Sequence, residues 1–337
     1  MANTIIITGA NGSLAIPTVD YLLKHAPASK LVLTVRNASD SDANTMTLRE
    51  VISKHPKADT SIRELDLSHL SAVHDFARNI ADEVTAGTLP RLSGIVGTAY
   101  YWNLSGPLQM TDDGYEKTFQ VTYLSHFALI VRLLGSFRSE GGRIVLFTSD
   151  CDETGKNGWE KIPPLIPNDP TQLELLVKPP TDDPSIDALG HGFHRYANAK
   201  LATVMFTHAL NRRLKENEKL KNITVVVTNP GNLANSRALR VNTPLKLVFL
   251  SMFVLQPLRP LLSFMDPTAR TVGQAAVDVA CLATNEAHPG ERGYFILLTP
   301  YEGSKHSQDE KTQDILWAKS AEWVGLTAQD MALGVSS

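Results

Sequence analysis

Cysteine is scarce in this chain, because its 337 residues include only Cys151 and Cys281. The two are far apart and lack the short spacing of paired metal ligands, which excludes a disulfide-rich scaffold and a cysteine-based zinc site. Two isolated thiols in a reducing compartment are the preferred interpretation, and a single disulfide between them stays open.

An excess of charge of one sign and an apolar leader are also missing. The 32 basic and 35 acidic residues leave a net charge of −3, which gives no electrostatic reason to expect nucleic acid. The first residues lack the basic start and long apolar stretch of a signal peptide. A hydrophobic content of 43% is typical of a globular protein. We therefore expect a cytoplasmic protein that binds no nucleic acid.

Short apolar runs alternate with helical patterns along the chain. Seven strands are predicted, at residues 4–8, 30–35, 61–65, 92–97, 142–149, 222–228 and 293–298. Repeated βα units predict an α/β fold, namely a three-layer, Rossmann-type, doubly wound sheet of about seven parallel strands. No repeat or low-complexity segment interrupts the pattern, so residues 1–337 are predicted to form a single domain.

The first strand ends in a turn of small residues, Gly9-Ala10-Asn11-Gly12-Ser13-Leu14. Pro17 is tolerated only in the first turn of a helix, which places the start of the next helix near Gly12 or Ser13. Backbone N–H groups at a helix N-terminus bind anions, with help from the helix dipole. The turn therefore predicts a phosphate cradle, and an ordinary βα turn is the alternative.

Arg36 and Asn37 follow the second strand directly, at the place where a dinucleotide fold meets the adenosine ribose. An acidic residue there binds the 2′-hydroxyl of NAD, whereas a cation suits the 2′-phosphate of NADP. The nearest acid, Asp40, lies four residues beyond Arg36. The sequence therefore predicts NADP(H) as the cofactor, and a plain surface charge at Arg36 is the alternative.

Asp66 and Leu67 follow the third strand. An Asp at a strand end commonly caps the next helix, but Ser68 is available for that task here. Asp66 is then free to accept a hydrogen bond from an adenine amino group, so the pair is predicted to contact the cofactor.

Small residues and then aromatic ones follow the fourth strand. Gly97 and Thr98 let the backbone approach a ligand closely, and a cluster that includes Tyr100 and Trp102 comes next. Ligands of open α/β sheets bind beyond the carboxyl ends of the strands, so the two rings are candidate substrate contacts. A place in the core is the alternative.

Tyr196 and Lys200 are four residues apart in a segment with helical apolar spacing, so both side chains point the same way. A phenol has a pKa of about 10. An ammonium a few ångströms away favours the phenolate and lowers that pKa towards the working pH. Such a spacing is common, so two residues on a solvated helix face are the alternative.

These motifs occur in one order: Thr8-Gly9-x-x-x-Ser13-Leu14-Ala15, Asp66-Leu67, Ser149, Tyr196-x-x-x-Lys200 and Asn229-Pro230-Gly231. Their order and spacing resemble the short-chain dehydrogenase/reductase (SDR) family across about residues 3–300. The helix text of residues 119–127 is similar to the retinol-dehydrogenase-like branch. The length, an insertion and the tail resemble SDRs of fungal specialised metabolism.

The resemblance implies a role for each motif. Tyr196 would be the catalytic acid/base, and Lys200 would lower its pKa and hold the nicotinamide ribose. Ser149 would bind the substrate oxygen. Pro230-Gly231, followed by Leu233, would shape the nicotinamide pocket.

Three places depart from the family pattern. Ser13 and Ala15 stand where the glycine-rich turn usually has glycine, and Gly97-Thr98-Ala99-Tyr100 replaces the usual Asn-Asn-Ala-Gly. Thr122 aligns with the helix asparagine that holds a water for proton relay. Because a threonine hydroxyl also bonds water, Thr122 is a candidate relay residue.

Residues 150–195 put 46 residues between Ser149 and Tyr196, far more than the usual connection in the family. Such a long loop is usually functional or disordered. Because its ends adjoin catalytic residues, we expect a lid or pocket wall, with Asp150 and His194 as substrate contacts. The two histidines just before Tyr196 lack further ligands, so no metal is expected.

Residues from about 235 to 266 form a second unusual stretch. Its uncharged apolar run, Leu247 to Leu258, has 12 residues and is too short to span a bilayer. The family has a mobile substrate-covering helix there, so we expect an apolar lid over a bulky, lipophilic substrate. A dimer surface or peripheral contact with a membrane are the alternatives, and a monomer and a homodimer both fit.

These expectations combine into one function. It is the NADP(H)-dependent interconversion of a ketone and a secondary alcohol on a polyketide, terpenoid or steroid-like substrate, in the reductive direction. The link to secondary metabolite biosynthesis rests on resemblance alone. A non-redox isomerase or cyclase on the same scaffold is the first alternative, suggested by Thr122 and the altered loop. A nucleotide-sensing binding protein is the second, and the joint presence of Ser149, Tyr196 and Lys200 disfavours it.

Overall fold

The computed structural model describes residues 3–233, 235–258, 266, 268–327, 330 and 332–333. Its strands are β1 (Asn3–Thr8), β2 (Ser29–Val35), β3 (Thr60–Glu64), β4 (Leu92–Gly97), β5 (Gly142–Phe147), β6 (Ile223–Asn229), β7 (Asn232–Leu233), β8 (Ala269–Arg270), β9 (Gly293–Ile296) and β10 (Thr299–Tyr301).

Eight of these strands form the central sheet, in the order β10-β9-β6-β5-β4-β1-β2-β3. The seven strands from β9 to β3 are parallel, which confirms the predicted sheet. β10 adds an antiparallel edge strand. The last predicted strand ends at Ile296 rather than at residue 298, because Leu297 has a φ of 58° and turns the chain back.

The helices are α1 (Ala15–His25), α2 (Ala43–Ser53), α3 (Leu70–Thr85), α4 (Lys117–Phe119), α5 (Ser125–Leu133), α6 (Pro170–Val177), α7 (Ala188–Glu216), α8 (Leu245–Leu250), α9 (Val272–Ala283) and α10 (Glu310–Trp323). α4 continues into α5 through a π-helical turn, Gln120–Leu124. Two short 3₁₀ helices, Asp150–Asp152 and Arg237–Arg240, lie near the predicted site residues.

Helices cover both faces of the sheet and complete three layers. Side chains of α3, α5, α7 and α10 join one apolar cluster, and those of α1, α2 and α9 join another. In β1, Ile6 belongs to the first cluster while Ile5 and Ile7 belong to the second. A strand buried on both faces needs no polar alternation, which explains its continuous apolar run.

Two helix starts differ from the expectations. α1 begins at Ala15, slightly later than predicted, although the Ile16 N–H already bonds the Gly12 carbonyl at 3.0 Å. The prediction that Ser68 caps α3 is wrong, since His69 is the N-cap residue and makes no side-chain cap. The carboxylate of Asp113 instead accepts from the Leu70 N–H at 2.8 Å.

The long insertion is only partly a wall of the site. Its helix α6 packs against α10, where Glu174 accepts from Lys319 at 2.6 Å and from the Trp323 indole at 3.0 Å. The Val177 carbonyl accepts from the Glu116 N–H at 2.7 Å. For α6 the expectation of a lid is therefore wrong, because its apolar side chains are part of the main core.

α7 also packs closely against the loop that follows β4. A Cβ on Gly192 would lie 2.0 Å from the backbone oxygen of Asn103. This contact requires glycine and fixes the distance between the loop and the helix that carries Tyr196.

We therefore expect Gly192→Ala to lower the free energy of unfolding by about 1–3 kcal/mol, because a methyl group forced against backbone displaces it. This loss of stability is opposite to the effect of helix propensity, which favours Ala over Gly by about 1 kcal/mol. Urea unfolding measures the change. Gly158→Ala is the control, since nothing lies within 4 Å of that Cβ. A Gly192→Ala protein as stable as the wild type would contradict the close contact.

Candidate active site

Tyr196 and Lys200 lie together on α7, and both side chains are buried. The Lys200 Nζ lies 5.4 Å from the centroid of the Tyr196 ring and 5.2 Å from that of Tyr100. It donates a hydrogen bond of 2.9 Å to the carbonyl of Phe147, the last residue of β5. The predicted pair is thus placed at the carboxyl end of the central strands.

Burial controls the protonation of both groups. It raises the pKa of Tyr196 well above its usual range and lowers the pKa of Lys200 to about 8. The expectation that Lys200 lowers the phenol pKa is therefore wrong, because burial raises that pKa. The ammonium bonds a backbone carbonyl instead of the phenol oxygen, and removal from water disfavours the charged form of each group. At neutral pH Tyr196 holds its proton.

Ser149 lies directly beyond β5, and its hydroxyl is engaged by its neighbour. The Ser149 Oγ donates to the Asp150 carboxylate at 2.7 Å, and the amide of Asn157 donates to the same oxygen at 3.0 Å. Asp150, which we predicted as a substrate contact, is thus placed to orient Ser149. Asn157, from the insertion, is a supporting residue that the sequence did not reveal.

An aromatic wall surrounds the Tyr196 ring. Ring centroids lie 5.8 Å away for Tyr100, 5.3 Å for Trp102 and 6.5 Å for Phe193. The Trp159 ring, from the insertion, packs against Phe193 at 6.0 Å. Tyr100 and Trp102 therefore lie at the site as predicted, and the part of the insertion near Trp159 is a wall.

Thr122 lies in the π-helical turn and holds the loop after β4. Its Oγ1 accepts from the Tyr101 N–H and donates to the Tyr101 carbonyl, both at 3.2 Å. The hydroxyl proton is therefore engaged by backbone. The structure shows a positioning contact at Thr122, and its role as a relay residue stays a prediction.

The His194 ring connects the insertion with α7. Its Nδ1 bonds the Ile162 carbonyl at 3.3 Å, and its Nε2 bonds the Asn198 amide at 3.1 Å. Both ring nitrogens are thus engaged within the protein, and contact of His194 with the substrate stays a prediction.

The glycine-rich turn has the features of an anion cradle. Gly9 has a φ of +60°, and a Cβ there would lie 3.0 Å from Ala99. Among the described residues, no acceptor bonds the N–H groups of Ser13 and Leu14, which precede α1. Free N–H donors at the start of an 11-residue helix fit the phosphates of a dinucleotide.

At the predicted adenosine end of the site, Arg36 is available to bind a ligand. Asp40, the nearest acid in sequence, pairs with Arg49 at 3.1 Å, and no ion pair of the described residues includes Arg36. Asn37 is exposed beside it. Asp66 is less free than predicted, because its Oδ1 accepts from the N–H and the hydroxyl of Ser68.

Gly97 and Thr98 serve packing as much as ligand access. A Cβ on Gly97 would lie 2.8 Å from Leu146 and 3.0 Å from the His126 ring, so the residue is small to fit its neighbours. The Thr98 hydroxyl donates to the Thr8 carbonyl and joins the two strand ends. Leu67 is buried beneath the same edge.

The Pro-Gly motif turns the chain away from β6. Gly231 has a φ of +86°, and a Cβ there would lie 2.5 Å from the Thr268 carbonyl oxygen. The Pro230 carbonyl accepts from Arg270 at 2.9 Å, and the half-buried Leu233 lies in β7. The motif thus has the geometry to shape one side of the site.

The proposed lid exposes its apolar side chains. No residue of α8 is buried, and Leu245, Phe249 and Phe253 are 85%, 62% and 61% exposed. Residues 259–265 of the predicted stretch lie outside the described residues. In this conformation α8 does not cover the aromatic wall with its apolar face.

Two residues near the site were missed in the sequence. His126 bonds Thr8 Oγ1 at 2.9 Å, and burial lowers its pKa to about 4, so the ring is neutral. In the sequence, His126 stands out as a polar residue within the apolar pattern of α5. Arg237 contacts the glycine-rich turn from a distant segment, and only its position after the Pro-Gly motif pointed to it.

The described residues contain no group of three or more His, Cys, Asp or Glu side chains that could hold a metal ion. Both cysteines are free thiols. Within the same residues, no helix has the length and hydropathy needed to cross a membrane.

Comparisons with known proteins identify the family. A family model described as the KR domain matches residues 3–135, and the AcuH dehydrogenase domain matches residues 237–333. The short-chain dehydrogenase iccH of Talaromyces variabilis is 28% identical over 364 residues, and 98% of each chain is covered. The dehydrogenase acuH of Aspergillus aculeatus is 50% identical over 93 residues, which are 95% of its length and 28% of this chain. The chain belongs to the SDR family.

This SDR is also similar to retinol dehydrogenase 14 of Mus musculus, at 26% identity over 96% of this chain and 86% of that protein. Among solved structures, an SDR from Serratia marcescens has a TM-score of 0.58 at 16% identity, covering 87% of this chain and 96% of its own. BdcA in complex with NADPH has a TM-score of 0.56 at 15% identity, with coverages of 90% and 97%. The fold and the fungal, retinol-dehydrogenase-like relationship are confirmed, and the protein is an oxidoreductase of a family that uses nicotinamide cofactors.

A buried carboxyl below the site gives a pH-dependent stability. Asp152 accepts from Thr148 at 3.0 Å and from Tyr294 at 3.4 Å, and burial raises its pKa to about 7. The pKa of Asp152 in the folded protein exceeds the unfolded value of about 3.9. Asp152 therefore contributes its full stabilisation below the unfolded pKa, and this contribution is lost as the pH rises to 7.

We therefore expect the free energy of unfolding to fall by roughly 2 kcal/mol more for the wild type than for Asp152→Asn between pH 5 and pH 8. Urea unfolding at several pH values measures this difference. Asp82→Asn, at an exposed position on α3, is the control and should follow the wild type. Parallel curves for the wild type and Asp152→Asn would contradict the raised pKa.

Proposed function

We propose that this SDR uses NADP(H) to reduce a ketone on a bulky, lipophilic substrate to a secondary alcohol. The observation that carries the proposal is the buried Tyr196 phenol, which keeps its proton beside Lys200 and the end of β5. A protonated phenol can donate a proton to the substrate oxygen but cannot take one from an alcohol. It therefore suits the reductive direction at neutral pH.

The chemistry follows from the side chains present. A nicotinamide cofactor held in this cradle would supply a hydride to the carbonyl carbon. Negative charge then develops on the substrate oxygen, where the hydroxyls of Ser149 and Tyr196 are the available donors. Tyr196 transfers its proton to that oxygen, and the Lys200 ammonium stabilises the phenolate that is left. Ser149 must exchange its bond with Asp150 for one with the substrate.

NADP(H) is supported by the free cation at the tip of β2. Arg36 has no carboxylate partner among the described residues, while Asp40 pairs with Arg49. A planar guanidinium suits a 2′-phosphate. BdcA, a protein of the same fold, has been solved with NADPH.

A lipophilic substrate is supported by the aromatic wall of Tyr100, Trp102 and Phe193 around Tyr196. The fungal relatives iccH and acuH favour a specialised metabolite such as a polyketide, terpenoid or steroid-like ketone. Residues 235–266 would form the substrate-covering element, which requires the exposed apolar face of α8 to move onto the aromatic wall. The exposed apolar face of α8 also fits a homodimer contact or a peripheral membrane contact.

The non-redox isomerase or cyclase is the second candidate. It is favoured by Thr122, which stands in place of the family's relay asparagine and donates its hydroxyl proton to the Tyr101 carbonyl. Absorbance of reduced nicotinamide on mixing with apolar ketones separates the candidates. Consumption of NADPH supports the reductase, whereas product formed without consumption supports the isomerase.

Tyr196→Phe should lower kcat by about 100-fold or more while the Kd for NADPH changes little, because only the proton donor is lost. Stopped-flow reduction and cofactor fluorescence measure the two quantities. Tyr21→Phe, on α1 away from the site, is the matched control. Turnover by Tyr196→Phe at the wild-type rate would exclude Tyr196 as the proton donor.

Arg36→Ala should weaken NADPH binding by about 10-fold or more and leave NADH binding nearly unchanged, because only the 2′-phosphate loses a partner. Fluorescence titration with both nucleotides measures the ratio. Lys57→Ala removes an exposed cation after α2 and is the charge control. An equal loss for both nucleotides would argue against recognition of the 2′-phosphate by Arg36.

A further inference from the structure

Arg237 reaches the glycine-rich turn from the segment that follows the Pro-Gly motif. Its backbone N–H donates to the Ser13 hydroxyl at 2.9 Å, and its Nε donates to the same oxygen at 3.3 Å. A terminal guanidinium nitrogen donates to the Asn11 carbonyl. A cation therefore lies on the turn whose Ser13 and Leu14 N–H groups have no acceptor among the described residues.

The charge of Arg237 has no direct partner in the described part of the chain. No ion pair there includes Arg237, and the oxygens it contacts belong to a hydroxyl and a carbonyl. Asp42, an acid close enough to act on Arg237, accepts from the Thr45 N–H at 2.7 Å and caps α2. A half-buried guanidinium with only neutral acceptors has a stronger partner to gain, since charge-assisted hydrogen bonds are about twice as strong as neutral ones.

We propose that Arg237 is a phosphate-binding residue of the dinucleotide site and exchanges its contacts with Ser13 and Asn11 for a phosphate of the cofactor. The inference rests on the proposed function, because it needs a dinucleotide in the cradle. The planar fork of Arg presents paired donors to phosphate oxygens, which a neutral residue cannot do. The diphosphate and the 2′-phosphate share this chemistry, and the experiment separates them.

The same segment connects the phosphate cradle to the aromatic wall. Four residues after Arg237, the Val241 carbonyl accepts from the Trp102 indole at 3.0 Å. The Asn242 carbonyl accepts from the Leu104 N–H at 2.8 Å. A phosphate that holds Arg237 therefore also holds the segment that contacts Trp102. Cofactor binding should in this way order the substrate side of the site before the substrate enters.

The test compares Arg237→Gln, Arg237→Lys and the control Arg240→Gln, which removes an exposed cation from the same 3₁₀ helix. Fluorescence titration gives the Kd for NADPH and for NADH, and circular dichroism confirms the fold of each variant. We expect Arg237→Gln to weaken NADPH binding by about 10-fold or more. Arg237→Lys should restore part of the affinity, and Arg240→Gln should bind like the wild type.

The two nucleotides identify the phosphate. An equal loss for NADPH and NADH in Arg237→Gln assigns Arg237 to the diphosphate, and a loss for NADPH alone assigns it to the 2′-phosphate. Unchanged binding of both by a folded Arg237→Gln protein would overturn the inference and leave the proposed function intact. A wild-type protein that binds neither nucleotide would instead overturn the proposed function itself.

Limited proteolysis gives a readout that does not depend on turnover. NADPH should protect residues 235–258 from cleavage in the wild type and in Arg240→Gln, but much less in Arg237→Gln at equal saturation with the nucleotide. Equal protection of this segment in all three proteins would show that Arg237 does not couple the cofactor to it.

Discussion

The burial of the Lys200 ammonium on α7 is the constraint on which the rest of the site depends. A buried cation is costly unless a polar group accepts its hydrogen bonds, and the Phe147 carbonyl at the end of β5 does so here. This requirement fixes the helix against the central sheet, and with it the position of Tyr196. The close contact between Gly192 and the Asn103 backbone then fixes the loop after β4 against the same helix.

Burial of this pair disfavours the charged form of both groups, although Lys200, with a pKa of about 8, stays mostly an ammonium at neutral pH. The phenol of Tyr196 retains its proton and Asp152 has a pKa of about 7, both because of burial. Ser149 is oriented by Asp150, which Asn157 of the insertion also contacts. The insertion therefore contacts, near its beginning, the carboxylate that bonds Ser149, while its helix α6 packs into the main core.

Segments far apart in the chain meet at the carboxyl edge of the sheet. The glycine-rich turn lies near residue 10, the aromatic wall near residue 100, and the segment with Arg237 and Val241 connects the two. A site built in this way allows the cofactor to influence the substrate side. The exposed apolar face of α8 lies a few residues further along that segment, so a displacement of Arg237 would be passed on to α8.

The sequence by itself determined the sheet, its parallel strands and the place of Tyr196, Lys200 and Ser149, because these follow from local periodicity and motif order. The contacts of His194 and α6 were decided only by the tertiary structure, since hydrogen-bond partners such as Ile162 and Lys319 are far away in the chain. The protonation states of Tyr196 and Lys200 were also decided by the tertiary structure. The spacing of Tyr196 and Lys200 predicted a lowered phenol pKa, but the free energy of desolvation depends on everything packed around the pair.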